Sequence, residues 1–159
     1  MTPSPSTDGR IALLRHTVAT LAYRGGKALR GAPPEFAGYG SRTPGEILAH
    51  VCDLFDWALT LVDGKQAWHD SQPRTWEADI ARFFAGLEAF DRRLASGVPL
   101  GVEPEFLFQG PVADALTHVG QIAMLRRMAG CAIYGENYFV ARIETGRVGA
   151  DQAAPVKQF

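Results

Sequence analysis

The sequence predicts an all-α fold, a four-helix bundle followed by an irregular C-terminal tail. Three observations carry that expectation. Four segments repeat apolar residues at steps of three and four, and no segment alternates apolar with polar residues as a half-buried strand does. A third is size, because 159 residues suit one compact domain, residues 1–159, that can bury its own core.

The opening, residues 1–8, is rich in Ser, Thr and Pro and is expected to be disordered. In "IALLRHTVATLA" the residues Ile11, Leu14, Val18, Leu21 and Ala22 share one face, which gives the first helix. Gly25 and Gly26 are read as its end, and "GAPPEFAGYGSRTPGE" as a connection. Thr43 and Pro44 then supply an N-cap and a first-turn proline.

The second helix, "GEILAHVCDLFDWALTLVDG", carries Ile47, Val51, Leu54, Ala58 and Leu61 along one stripe. Asp53, Asp56 and Thr60 fall opposite and are read as its solvated face. A third helix follows Pro73, with Trp76, Ile80, Phe83, Leu87, Phe90 and Leu94 inward and Glu77, Arg82, Glu88, Arg92 and Arg93 outward. Next comes the broken connection "SGVPLGVEPEFLFQG". Gly110 with Pro111 is read as opening the fourth helix, and Gly130 as closing it. Residues 131–159 are expected to cover part of the bundle as a tail and then fray.

A formal net charge of -1 brings no attraction to phosphate backbones, and Arg126 with Arg127 is too small a patch to replace it, so nucleic acid is excluded as a partner. "MTPSPSTDGR" lacks the apolar stretch of a secretory leader, and no segment approaches the roughly 18 apolar residues of a membrane span. The expectation is a cytoplasmic protein with no membrane contact. Cys52 and Cys131 form no CxxC and are read as packed thiols.

The fourth helix raises the functional question, because Asp114, His118 and Gln121 interrupt an otherwise apolar run at helical spacing. Polar groups taken out of water cost several kcal/mol unless paired, hydrogen-bonded or bound to a metal. Asp114 and His118 project from one face, a turn apart. His50 falls inside the apolar arc of the second helix, near Leu54, Trp57 and Leu61, and supplies a third donor. Two imidazoles and a carboxylate suit a divalent ion such as Zn, Ni, Fe or Mn and leave coordination positions open. The competing reading makes Asp114 and His118 an intrahelical ion pair near a helix N-terminus and His50 a core histidine.

Gln121, one turn beyond His118, is read as an ordinary polar contact, with an outer partner of the ligands as the alternative, His16 as exposed and His69, in "AWHDSQP", as a loop residue. No Ser/His/Asp arrangement or glycine-rich phosphate loop is evident, and Cys52 has nothing beside it in sequence to stabilise a thiolate.

"EILAHVCDLFDWAL" and "DALTHVGQIAMLRRMAG", with "WEADIARFFAGLEAFDRRL" between them, together resemble the DinB/YfiT-like superfamily of metal-dependent enzymes over roughly residues 10 to 130. The resemblance implies a four-helix bundle, commonly a homodimer. It also implies three histidines around a divalent metal, one on the second helix and two as His-x-x-x-His on the fourth. His50 matches the first of these and His118 the last, while Asp114 stands where the family has a histidine.

The implied activity is that of a metal-activated water or thiol, in a hydrolase or in a thiol-dependent transferase or isomerase acting on a small-molecule or thiol substrate. Mycothiol-dependent maleylpyruvate isomerase and bacillithiol transferases are of this kind. The alternative is a non-catalytic dimeric bundle, a binding or scaffold protein whose metal site has lapsed.

Overall fold

The computed structural model describes residues 8–159. The disordered opening expected over residues 1–8 lies outside that range except for Asp8. The Asp8 carboxylate caps the first helix by accepting from the Arg10 amide at 2.9 Å. Four long helices follow: α1, Gly9–Leu29; α2, Pro44–Leu61; α3, Trp76–Ala95; and α4, Ala113–Met128. Among the described residues there is no strand, only one isolated bridge in the tail, so the fold is all-α.

The helix starts follow from local chemistry. Thr43 and Glu46 form a reciprocal capping box, the Glu46 amide donating to Thr43 Oγ1 at 3.1 Å and the Thr43 amide donating to Glu46 Oε2 at 2.8 Å. Thr75 caps α3 in the simpler way, its hydroxyl accepting from the Ala78 amide at 3.2 Å.

The expected end of α1 at Gly25 and Gly26 is corrected, because the helix runs on to Leu29. Gly25 serves packing. A Cβ built on Gly25 would lie 2.6 Å from Phe83 Cζ, so the bare backbone lets α3 press its aromatic ring directly against α1. That close approach offsets the weak helix propensity of a glycine, about 1 kcal/mol.

The start of the fourth helix is corrected as well. Helical backbone begins at Pro104–Leu107 and passes through a π-helical turn at Phe108–Val112, so Pro111 lies inside the run and does not open it. Proline has no N–H to give the preceding turn, and a widened turn accommodates its ring. Leu107 and Val112 are fully buried on either side, which holds this irregular segment in place.

In cross-section α1 packs on α3 and α4, and α2 packs on the same two helices. The bundle therefore has α1 diagonal to α2 and α3 diagonal to α4. Its core is aromatic and aliphatic, with Leu21, Leu48, Phe55, Phe83, Leu87, Phe90 and Ile122 all essentially inaccessible. No helix among the described residues is long and apolar enough to cross a membrane.

The tail is irregular, as expected, and it covers the bundle through buried Val148 and Glu136. The Glu136 carboxylate accepts from the Tyr23 hydroxyl and the Lys27 ammonium, each at 2.8 Å. Its expected fraying is not observed. The Asn137 amide donates to Lys157 O at 2.9 Å and the Phe159 amide donates to Gly135 O at 3.0 Å, so the last residues are pinned back on the first part of the tail.

Candidate metal centre

α2 and α4 are neighbours, and their facing surfaces carry the three residues singled out in the sequence. His50 Nε2 lies 3.4 Å from one Asp114 oxygen, and His118 Nε2 lies 3.4 Å from the other. One ligand atom from each residue falls within 4.8 Å of the other two. The imidazole rings stand edge to face, with centroids 4.7 Å apart at 82°. Both imidazoles thus present Nε2 to the same carboxylate.

Exposure grades across the group. The His118 side chain is 13% exposed, His50 27% and Asp114 45%, so the centre is rooted in the bundle and opens to solvent at the carboxylate.

His118 Nδ1 and Gln121 Oε1 are 2.7 Å apart. An amide oxygen only accepts, so the imidazole donates from Nδ1, and the lone pair of the neutral ring is left on Nε2, facing Asp114 and His50. This is the arrangement in which a histidine can ligate a metal while its other nitrogen is held by an outer partner. The donor set fits a divalent ion, with two neutral nitrogens and one anionic oxygen converging and an open side. Gln121 takes the outer-partner alternative of its sequence reading and orients the imidazole.

Trp68 also contributes, and no helical period points to it because it lies in the connection between α2 and α3. Its ring stands edge-on to His50 at 5.5 Å, and Trp57 stands edge-on to Trp68 at 5.9 Å. The Trp68 indole N–H donates to Asp70 at 3.1 Å, which fixes the ring beside His50.

A second cluster lies along the same connection. Asp53, Asp56 and His69 also place ligand atoms within 4.8 Å of one another. Here a cation is already present, since Arg82 Nη2 donates to Asp53 and to Asp56, each at 2.6 Å. The Ser71 hydroxyl and amide donate to Asp53 at 2.6 and 2.8 Å. His69 Nε2 lies 2.9 Å from Asp56.

Burial pushes the Asp53 carboxyl up, but the Ser71 donors and the Arg82 guanidinium outweigh it and hold the group below its ordinary value. The two carboxylates are held in an ion-pair network around Arg82 Nη2, while Arg82 Nη1 is buried with no hydrogen-bond partner among the described residues. The network also corrects two expectations, because Asp53 is 2% exposed and Arg82 is largely covered, so neither belongs to a solvated face.

Ser71, His69 and Asp56 do fall in file, with Ser71 Oγ 3.4 Å from His69 Nδ1. The hydroxyl hydrogen is nevertheless committed to Asp53 at the shorter distance, which leaves no activated nucleophile. Cys52 is buried, its thiol donating to Asp79 O at 3.4 Å and pushed up to about 12 by that burial, so it is not a reactive thiol. His16 is exposed on the outer side of α1.

Comparison of the chain with protein-family models, with curated proteins and with solved structures finds no match. The functional reading therefore rests on the helical bundle and on the convergent group of His50, Asp114 and His118.

Proposed function

We propose that this chain is a divalent-metal-dependent enzyme of the DinB-like type, with His50, Asp114 and His118 as the metal ligands. The observation that carries the reading is the aim of both Nε2 atoms at one carboxylate, from two helices, with Gln121 holding the His118 tautomer that leaves Nε2 free. A divalent ion bound there supplies Lewis acidity and lowers the pKa of a water or thiol that reaches its open positions.

The protein's own contribution is positional. α2 and α4 hold the imidazoles against a packed core, so the ligands lose little further freedom on binding. Asp114 faces solvent, and that side is the route by which a small-molecule or thiol substrate would approach. The substrate class within a hydrolase or a thiol-dependent transferase or isomerase is read from the resemblance in sequence.

The test is calorimetric titration of metal-free protein with zinc, nickel and manganese. Wild type is expected to bind one ion per chain, and His50→Ala and His118→Ala to lose that binding. If wild type binds every ion as weakly as His118→Ala does, the three residues are a polar cluster in a non-catalytic bundle.

A homodimer is part of the same proposal. Met124 and Met128 on the outer side of α4, with Phe139 in the tail, are exposed, which is more apolar surface than water favours. Sedimentation showing a monomer at high protein concentration would contradict it.

A further inference from the structure

Away from the proposed metal centre, a cavity of about 550 Å³ lies between the C-terminal ends of α1 and α4 under the tail. That volume is within the range of small-molecule sites. Its wall includes Lys27 and Arg30 from the end of α1, Arg126 from α4 and Glu136 from the tail, with Ile133 and Pro155 on the apolar side. Lys27 and Glu136 neutralise each other at 2.8 Å. Arg30 and Arg126 remain.

Arg126 is only 6% exposed. Its Nε donates to Cys131 O at 2.9 Å, and its Nη1 donates to Ala28 O at 3.1 Å and also to Arg30 O. These partners are main-chain carbonyls without net charge, and Nη2 has no hydrogen-bond partner among the described residues. The Arg30 side chain likewise has none and is exposed to solvent.

The carbonyls that Arg126 meets at the C-terminal end of α1 carry only about half a negative charge between them, so a net positive charge remains along this wall. Arg126 keeps only Nη2 free to donate, since its Nε and Nη1 are committed to carbonyls, whereas Arg30 has its whole planar fork free, and a guanidinium fork matches a carboxylate in two parallel hydrogen bonds.

We infer that this cavity binds a small organic monocarboxylate, its carboxylate against Arg126 and Arg30 and its apolar body against Ile133 and Pro155. A carboxylate offsets that positive charge, and the apolar wall selects a hydrocarbon portion over inorganic anions. The site is separate from the proposed metal centre, and neither depends on the other.

The experiment uses the full chain, treated with EDTA so that no metal can capture a carboxylate. Phenylacetate and hexanoate are titrated by calorimetry beside their neutral amides and inorganic phosphate. The acids are expected to bind at one per chain. The amides should bind about tenfold more weakly, because a charge-assisted hydrogen-bond pair is lost. Phosphate, without a hydrocarbon body, should bind more weakly than either acid.

Arg30→Gln should weaken the acids by about tenfold, and His118→Ala should leave them unchanged. The inference is overturned by no binding of either acid at millimolar concentration, by equal binding of acid and amide, by phosphate binding as well as the acids, or by loss of binding in a His118→Ala chain whose circular dichroism and unfolding match wild type. The contrast between acid and amide is read on the wild-type chain, so it stands whatever a variant does to folding.

Discussion

Gln121 holds His118 from one turn further along α4, its Oε1 lying 2.7 Å from the imidazole Nδ1. The contact turns a generic core histidine into one whose Nε2 lone pair has a fixed direction. Gln121→Leu keeps the size of the side chain and removes the acceptor. It is expected to weaken metal binding by about 10- to 100-fold, the usual effect of losing an outer partner of a ligating histidine. Gln121→Glu, which retains an acceptor, should bind at least as well as wild type. Competition against a chromogenic chelator reads both.

At position 114 the expected direction is the opposite. Asp114→His rebuilds a His-x-x-x-His pair at unchanged helical spacing and should retain or strengthen zinc and nickel binding. Asp114→Ala should lose it. The softer ions gain most from an added nitrogen, so manganese should gain least. The relative affinities of the three ions for the two proteins check this.

Two glycines, one on α1 and one on α4, predict opposite signs. At Gly25 a methyl group would sit 2.6 Å from Phe83 Cζ, and that ring is 1% exposed with nowhere to swing. Overpacking costs about 1–3 kcal/mol and the helix-propensity gain returns at most about 1, so Gly25→Ala should destabilise by roughly 1–2 kcal/mol. At Gly120 a Cβ meets nothing within 4 Å. Gly120→Ala should therefore stabilise by about 0.5–1 kcal/mol. Urea unfolding followed by circular dichroism measures both shifts.

Arg82 neutralises the buried Asp53, and Arg82→Gln is expected to cost about 2 kcal/mol at neutral pH, less than for a fully buried pair because the Ser71 donors remain. The folded-state value of Asp53 is depressed below 3.8, so the ion pair's contribution is present above that pH and is lost as pH falls through the depressed value. The stability difference between wild type and Arg82→Gln should accordingly be widest near neutrality and narrow below about pH 4. A variant that loses equal stability at every pH would show that Arg82 acts through packing alone.

Much of the site was legible from periodicity. His50 sits on the inward arc of α2, and the one-turn spacing of Asp114 and His118 fixes their common face without any knowledge of the partner helix. Trp68 was not legible, because its place beside His50 is set by the path of a connection that has no period.

The misreadings share a physical cause. Helical period assigns one inward stripe to each helix, but α2 is covered on a second side by α3 and by the connection that carries Trp68 and Ser71, so Asp53 is buried where the period places it outside. Gly25 looks like a break because its role lies in Phe83, far away in sequence. Pro111 looks like a helix start because a π-helical turn has no local pattern of its own.

The diagonal placement of α1 and α2 bears on the order in which the chain can be made and folded. When only α1 and α2 have left the ribosome, neither has a long helix to pack on, since both pack on α3 and α4. The first native helix pair becomes available with α3, and α1 must wait for it while exposing Leu14, Val18 and Leu21. The proposed metal ligands are split in the same way, with His50 made long before Asp114 and His118, so during synthesis an ion could meet at most one of the three until α4 emerges. Closure of the bundle and completion of the centre are one late event, and chaperone binding to nascent chains should concentrate on those truncated before α3.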